Sequence, residues 1–260
     1  MNIHVSSRLP LDRRVRFLGL DYDALEEKDV LNYLIARNPK AGFAAIVTPN
    51  ADHLVRISNS EKIASAYHSA DMRLNDSRIV SALAKLRRIP LTTVPGSDLI
   101  SSLFHSPKFD TSWQILIVGG SAELYADLVR KFGLTSAMHY DAPMGLMTDA
   151  SKMAMVVSHI EAHPARFVLL AIGSPQQELI AQALAERGHA TGIGLCIGAA
   201  VEFLVHPKRR APRWLSRLGL EWLYRLMQEP KRLWRRYLID SPKLFGLAFK
   251  DWAASRSARK

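Results

Sequence analysis

Residues 167–187 read FVLLAIGSPQQELIAQALAER, and residues 191–197 read TGIGLCI. The apolar run Phe167–Ile172 stops at Gly173-Ser174-Pro175, a segment of helical period carries the chain to about Arg187, and a second apolar run ends on Gly198. Short apolar runs closed by glycine and proline read as strands buried on both faces. Two of them flanking one helix read as a parallel pair joined by a crossover.

Working outward from that unit, the same alternation fills the chain before it. Val15–Leu20, Phe43–Val47, Met72–Leu74, Thr92–Val94 and Ile115–Val118 read as strands, and Ala24–Arg37, Asp52–Ala70, Arg78–Arg88, Ser97–Phe104, Ala122–Phe132 and Ser151–Ala162 as helices. The expected class is α/β, a Rossmann-like parallel sheet. Its 260 residues suffice for one large domain or two small lobes.

Ligands of such sheets bind beyond the carboxyl ends of the strands. That rule selects Thr48-Pro49-Asn50, Asn75-Asp76-Ser77, Gly119-Gly120-Ser121, Gly173–Gln177 and Gly198–Glu202. Each has two readings. Asn50 and Asp76 can cap the helices that follow them. Alternatively, Thr48 and Asn50 can hydrogen-bond sugar or phosphate, and Asp76 can take a proton from an acceptor hydroxyl. Gly119-Gly120 lacks a full dinucleotide fingerprint. At Gly173-Ser174-Pro175, proline suits a first helical turn and leaves the preceding backbone able to meet an anion.

The composition changes after Val205. His206–Lys260 holds 15 Lys+Arg and 4 Asp+Glu, whereas the preceding residues hold 20 of each, so the net charge of +11 belongs to the tail. Trp214, Trp222, Trp234 and Trp252, four of the five tryptophans, lie there too. Pro212–Met227, Lys231–Ile239 and Lys243–Ala253 read as short helices in which tryptophan and leucine alternate with arginine and lysine, the composition of interfacial helices. The expected organisation is a body, residues 1–205, in two lobes dividing near 106–112, and a basic, Trp-rich helical appendage, residues 206–260.

Several classes are excluded by what the sequence contains. One cysteine, Cys196, allows no internal disulfide and reads as a buried strand residue. The nine histidines show no metal-ligand spacing with carboxylates, and no Asp-X-Asp pair follows a later strand; no metal and no resident cofactor are expected. No apolar stretch approaches the ~18–20 residues of a membrane span, and no apolar segment of a signal peptide follows Arg8, Arg13 and Arg14. The neutral body argues against nucleic acid as the partner of the tail.

The loops, taken in this order, resemble the WecG/TagA/CpsF family of bacterial glycosyltransferases. The strongest part is Gly198–Leu204, then Arg210-Ala211-Pro212, Leu218–Leu226, Gln228-Glu229-Pro230 and Arg232–Tyr237; Thr48-Pro49-Asn50 and Gly173-Ser174-Pro175 with Gln177-Glu178 match further motifs. The resemblance implies inverting, metal-independent transfer from a UDP-sugar to a polyprenyl-diphosphate-linked sugar. It places this transfer at the cytoplasmic face of the bacterial inner membrane, on an anionic surface that the appendage touches.

The resemblance implies Asp76 as general base. It implies Thr48, Asn50, Gly173, Gln177, Gly198, Glu202, Arg225, Arg232, Arg235 and Arg236 as substrate-binding, the arginines meeting the diphosphate. The part after Ile239 is then expected to serve membrane docking more than chemistry. Four positions depart from the family pattern: Asn75 for proline, Ser77 for glycine, Thr93 for arginine and Glu202 for aspartate. These departures point to a branch similar to xanthan-type β-1,4-glucosyltransferases. The alternatives are an N-acetylmannosaminyltransferase of the same family and a non-enzymatic module that binds anionic polymers.

Overall fold

The computed structural model describes residues 13–206, 215 and 220–257; the side chains of residues 221, 225, 232, 236, 237 and 254–257 lie outside that description. Its centre is a six-stranded sheet built from β3 (Ala44–Val47), β4 (Met72–Arg73), β5 (Ile115–Val118), β6 (Ala137–Tyr140), β7 (Phe167–Leu170) and β8 (Ile193–Cys196). The strand order is β4-β3-β8-β7-β5-β6, and every pairing is parallel. The expected parallel sheet is therefore present. β8 pairs with β3 on one side and β7 on the other, so it joins the strands that precede residues 106–112 to those that follow.

Alternate residues of each strand feed opposite faces, as a period of two requires. Ala45, Val47, Leu116, Val118, Val168, Leu170 and Cys196 enter one apolar cluster, which Leu54 and Val55 of α2 (Ala51–Asn59) and Ile180 of α8 (Gln176–Arg187) close. Ile46, Ile115, Ile117, Phe167, Leu169, Ile193 and Leu195 enter the other, beneath Val30 and Leu34 of α1 (Glu27–Ala36) and Leu99 of α5 (Gly96–Phe104). Both faces of the central strands are covered, which is why those strands read as continuous apolar runs.

Several expected elements differ. The first apolar run is a two-stranded hairpin, β1 (Arg14–Phe17) and β2 (Leu20–Asp23), turning at Leu18 (φ 52°) and Gly19 (φ 80°). Buried Arg73 ties it to the sheet: its backbone N–H donates to Asp23 Oδ2 at 2.8 Å and its Nε to the Asp21 carbonyl at 2.6 Å. The long helix expected over Asp52–Ala70 breaks at Ser60, whose hydroxyl accepts the Ile63 N–H and starts α3 (Glu61–His68). Thr92–Val94 is not a strand; its backbone runs beside the loop that follows β4, with the Val94 N–H donating to the Asn75 carbonyl at 2.9 Å.

The remaining body helices are α4 (Arg78–Leu86), α6 (Ala122–Phe132), α7 (Ala150–Ala162) and α9 (Ala200–Val205). In the appendage, α10 (Glu221–Gln228) and α11 (Pro230–Arg235) lead through a π-helical turn (Arg236–Asp240) to α12 (Lys243–Ser257). Arg210-Ala211-Pro212, Trp214 and Leu218-Gly219 lie outside the described residues. The appendage packs onto α2: Leu233 and Leu244 are 2% and 1% exposed, and Leu244 belongs to the apolar cluster of the body. No helix among the described residues is long and apolar enough to cross a membrane.

Candidate active site

At the carboxyl ends of β3, β4, β7 and β8 lies a cleft of about 570 Å³. The strand-end loops form its floor and the appendage forms one wall. Thr48, Asn50, Asp76, Gly173, Gln177 and Gly198 all line it, so six of the residues expected from sequence come together there. Gly119-Gly120, at the end of β5, does not reach it.

Each loop is held by bonds the sequence supplies. Thr48 is buried, its hydroxyl donating to the Cys196 carbonyl at 3.4 Å. It packs against Gly96, where an added Cβ would stand 3.0 Å from Thr48 Oγ1, a tight contact that would require the neighbouring side chain to shift. Asn50 caps α2, its side chain accepting the Asp52 and His53 N–H groups at 3.1 and 3.3 Å. For Asn50, then, the capping reading holds, and the same residue faces the cleft.

For Asp76 the capping reading fails. Ser77 caps α4 by accepting the Val80 N–H at 3.3 Å. Asn75, 2% exposed, accepts the Ser77 N–H at 3.1 Å and donates to the Ser77 carbonyl, the Ser81 hydroxyl and the Thr92 carbonyl at 3.1, 2.7 and 3.2 Å. The Ser81 and Thr93 hydroxyls stand 2.6 Å apart, tying α4 again to the neighbouring segment. The Asp76 N–H donates to the Pro49 carbonyl at 3.0 Å, and its half-buried side chain lines the cleft.

The β7 and β8 loops share a buried polar cluster. Gln177 Oε1 accepts the Gly198 N–H at 2.9 Å while its Nε2 donates to Glu178 Oε1 at 2.8 Å. Glu178 is 1% exposed, and burial raises its carboxyl above the ordinary value. The Tyr67 and Ser174 hydroxyls lie 3.1 Å apart beside it. Cys196 lines the cleft, yet burial pushes its thiol up, so it is not a ready nucleophile. On α2, Arg56 pairs with Asp52 at 2.8 Å and donates to the Ser174 carbonyl at 2.7 Å, bracing the Gly173–Pro175 turn. Gly173 has φ 93°, a conformation that favours glycine.

The first turns of α2, α4, α5 and α8 all open toward the cleft, through Ala51–His53, Ser77–Ile79, Pro95 with Ser97, and Gln177. Trp222, Leu238, Ser241, Pro242, Leu244 and Phe245 supply the appendage wall. The sequence singled out Trp222 and Leu238 as apolar but did not place them in the site, and the residues after Ile239 were expected to serve docking. Ser241, Pro242, Leu244 and Phe245, from that last part, also line the cleft, at the helix α12 that docks on α2.

The remaining expected residues divide. Glu202 lies on α9, half-buried, and is not among the cleft-lining residues. Arg235 is exposed and does not line the cleft either. Arg225, Arg232 and Arg236 stand on described helical backbone, and their side chains lie outside the described ones. Among the described residues, no group of three or more His, Cys, Asp or Glu is placed to hold a metal ion. Residues 15–258 match the family described as Glycosyl transferase WecG/TagA/CpsF family, nearly the whole chain.

Proposed function

The chain belongs to the WecG/TagA/CpsF family of glycosyltransferases, and on that premise we propose that it moves a hexose from a UDP-sugar to a polyprenyl-diphosphate-linked sugar, with inversion and without a metal. The observation that carries this reading is the position of Asp76. Its carboxylate is released from capping by Ser77 and lines the cleft at the end of β4. In the proposed reaction Asp76 takes the proton of the acceptor hydroxyl. The freed oxygen attacks the anomeric carbon, the bond from that carbon to the diphosphate oxygen breaks, and UDP leaves with the bonding pair.

The charge that develops on the leaving diphosphate needs stabilisation in a site shielded from water. Four helix N-termini at the cleft provide oriented N–H groups, each favouring negative charge. Arg225, Arg232, Arg235 and Arg236, on the appendage that walls the cleft, remain proposed contacts of the diphosphate. The apolar wall of Trp222, Leu238, Pro242, Leu244 and Phe245 would exclude water as a competing acceptor.

The appendage also supports a peripheral membrane location at the cytoplasmic face of a bacterial inner membrane. Met227, Trp234, Leu238, Ile239, Phe245 and Phe249 are exposed apolar residues, and Lys231, Arg235, Lys243 and Lys250 are exposed cations among them. Apolar insertion and attraction to anionic headgroups add, at about 1 kcal/mol per cation near the surface. We read the transferred hexose as glucose, in exopolysaccharide synthesis, from the departures at Asn75, Ser77, Thr93 and Glu202. The test is a screen of UDP-sugars against diphosphate-lipid acceptors with products read by mass spectrometry. Transfer of glucose supports the full reading, transfer of N-acetylmannosamine moves the chain to the other branch, and transfer of nothing overturns the activity.

A further inference from the structure

We infer that Arg78 is a diphosphate-binding residue of this cleft; the inference rests on the proposed transfer from a nucleoside diphosphate sugar to a diphosphate-linked acceptor. Among the described residues lining the cleft, Arg78 is the only lysine or arginine. The same lining holds two carboxylates, Asp52 and Asp76. Asp52 is matched by Arg56 at 2.8 Å. A diphosphate entering the cleft therefore meets one guanidinium of the body that is not already paired across a salt bridge among the described residues.

The local setting of Arg78 is not accounted for by stability. It is the first residue of α4, the first turn of that helix holds no acidic side chain, and Arg78 is exposed. A cation at a helix N-terminus opposes the helix dipole. An anion bound there would be met by the guanidinium and by the helix N-terminus together, and the unfavourable pairing would become a favourable one. The helix is held at the cleft rim by the Asn75–Ser81 bond at 2.7 Å and the Ser81–Thr93 bond at 2.6 Å. Arg78 thus starts from a fixed backbone two residues from Asp76, and a planar guanidinium can grip two phosphate oxygens at once.

Two diphosphates are available to it, that of the nucleotide and that of the lipid-linked acceptor. The experiment compares the full-length chain with Arg78→Met and Arg78→Lys. Calorimetry measures the binding of UDP, inorganic pyrophosphate and uridine over a range of salt, and turnover gives the KM of a soluble short-prenyl diphosphate-linked acceptor. In the donor arm, Arg78→Met weakens UDP binding about 10-fold or more, leaves uridine unchanged and flattens the salt dependence, with Arg78→Lys restoring part of the loss. In the acceptor arm, UDP binding is unchanged and the acceptor KM rises by a similar factor.

Both arms support the inference. Changes within about twofold in UDP, pyrophosphate and acceptor overturn it, since a charge-assisted contact is worth more than that. Equal losses for UDP and uridine overturn it as well, because they mark a structural effect. Pyrophosphate binding that depends on Arg78 in a chain that ignores UDP would sustain the inference and sink the UDP-sugar reading. UDP and pyrophosphate binding is read without turnover, so failure of Asp76 as base would leave that result standing.

Discussion

Asn75 Oδ1 accepts the Ser77 N–H at 3.1 Å, closing a turn around Asp76, whose half-buried side chain lines the cleft. The Ser77 hydroxyl then caps α4. The two residues flanking Asp76 thus close the turn and cap the helix, while the aspartate side chain lines the cleft.

The first prediction follows from that division of labour. Asp76→Asn is expected to lower kcat at least ~10²-fold, the size of a general-base loss. The cap of α4 is kept, because Ser77 supplies it, so the variant should still fold cooperatively in thermal unfolding. Turnover near that of the wild type would remove Asp76 from the chemistry. A large loss of stability would return it to a structural role.

Asn75→Ala is expected to act on both stability and turnover. The amide is buried and joins the turn to Ser81 and to the Thr92 carbonyl. Its removal leaves buried partners unsatisfied, at a cost of about 1–3 kcal/mol in urea unfolding. Because the turn carries Asp76, kcat should fall more than KM rises. An unchanged kcat in a chain that still folds would show that the turn holds its shape without Asn75.

Glu178 predicts a pH dependence of stability. Burial raises its carboxyl above the ordinary 4.5, so the folded chain keeps this proton to higher pH than the unfolded chain. Stability from this group is complete below the unfolded value and is lost as pH rises through the folded one. Glu178→Gln keeps an acceptor for Gln177 and removes the titration. Urea unfolding between about pH 4.5 and 8 should show the downward slope in the wild type and a flatter line in the variant. Parallel lines would mean that Glu178 does not carry the effect.

How far the sequence could be read differs by element. β3, β5, β7 and β8 were legible because burial on both faces leaves continuous apolar runs. β6, with half-buried residues throughout, was missed: at the sheet edge Ala137–Tyr140 carries neither an apolar run nor clean alternation. The β1–β2 hairpin was hidden by Leu18, which takes a left-handed turn position where glycine or asparagine would have signalled one. The break at Ser60 was readable, since serine is a favoured N-cap and the acidic Glu61 suits a first helical turn. In the site, the strand-end loops were legible from topology. The places of Leu244 and Phe245 were not, because they depend on how α12 docks.

Turnover is expected to persist in excess chelator, since helix N-termini and arginines are proposed to meet the charge of the leaving diphosphate. Complete loss on chelation, restored by Mg²⁺ or Mn²⁺, would show that the transfer depends on a metal and overturn that part of the mechanism.

The appendage gives the last prediction, and the cleft wall decides its form. Removing everything after Val205 takes away Trp222, Leu238, Pro242, Leu244 and Phe245, opening one side of the cleft, and uncovers the face of α2 on which Leu244 packs. Turnover on a soluble, short-chain acceptor should fall together with binding to anionic vesicles. Truncation after Ile239 keeps Arg225, Arg232, Arg235 and Arg236 but removes Pro242, Leu244 and Phe245. It should therefore impair soluble turnover as well as docking, whereas an appendage acting only as an anchor would leave that turnover intact. Phe249→Ser separates the two roles, because Phe249 is 66% exposed and does not line the cleft. That variant should lose vesicle affinity in co-sedimentation while keeping soluble turnover. If it sediments with anionic vesicles as well as the wild type does, the membrane-facing side of α12 lies elsewhere on the helix. If the full-length chain ignores such vesicles altogether, the exposed aromatic and basic residues of the appendage answer to a different partner.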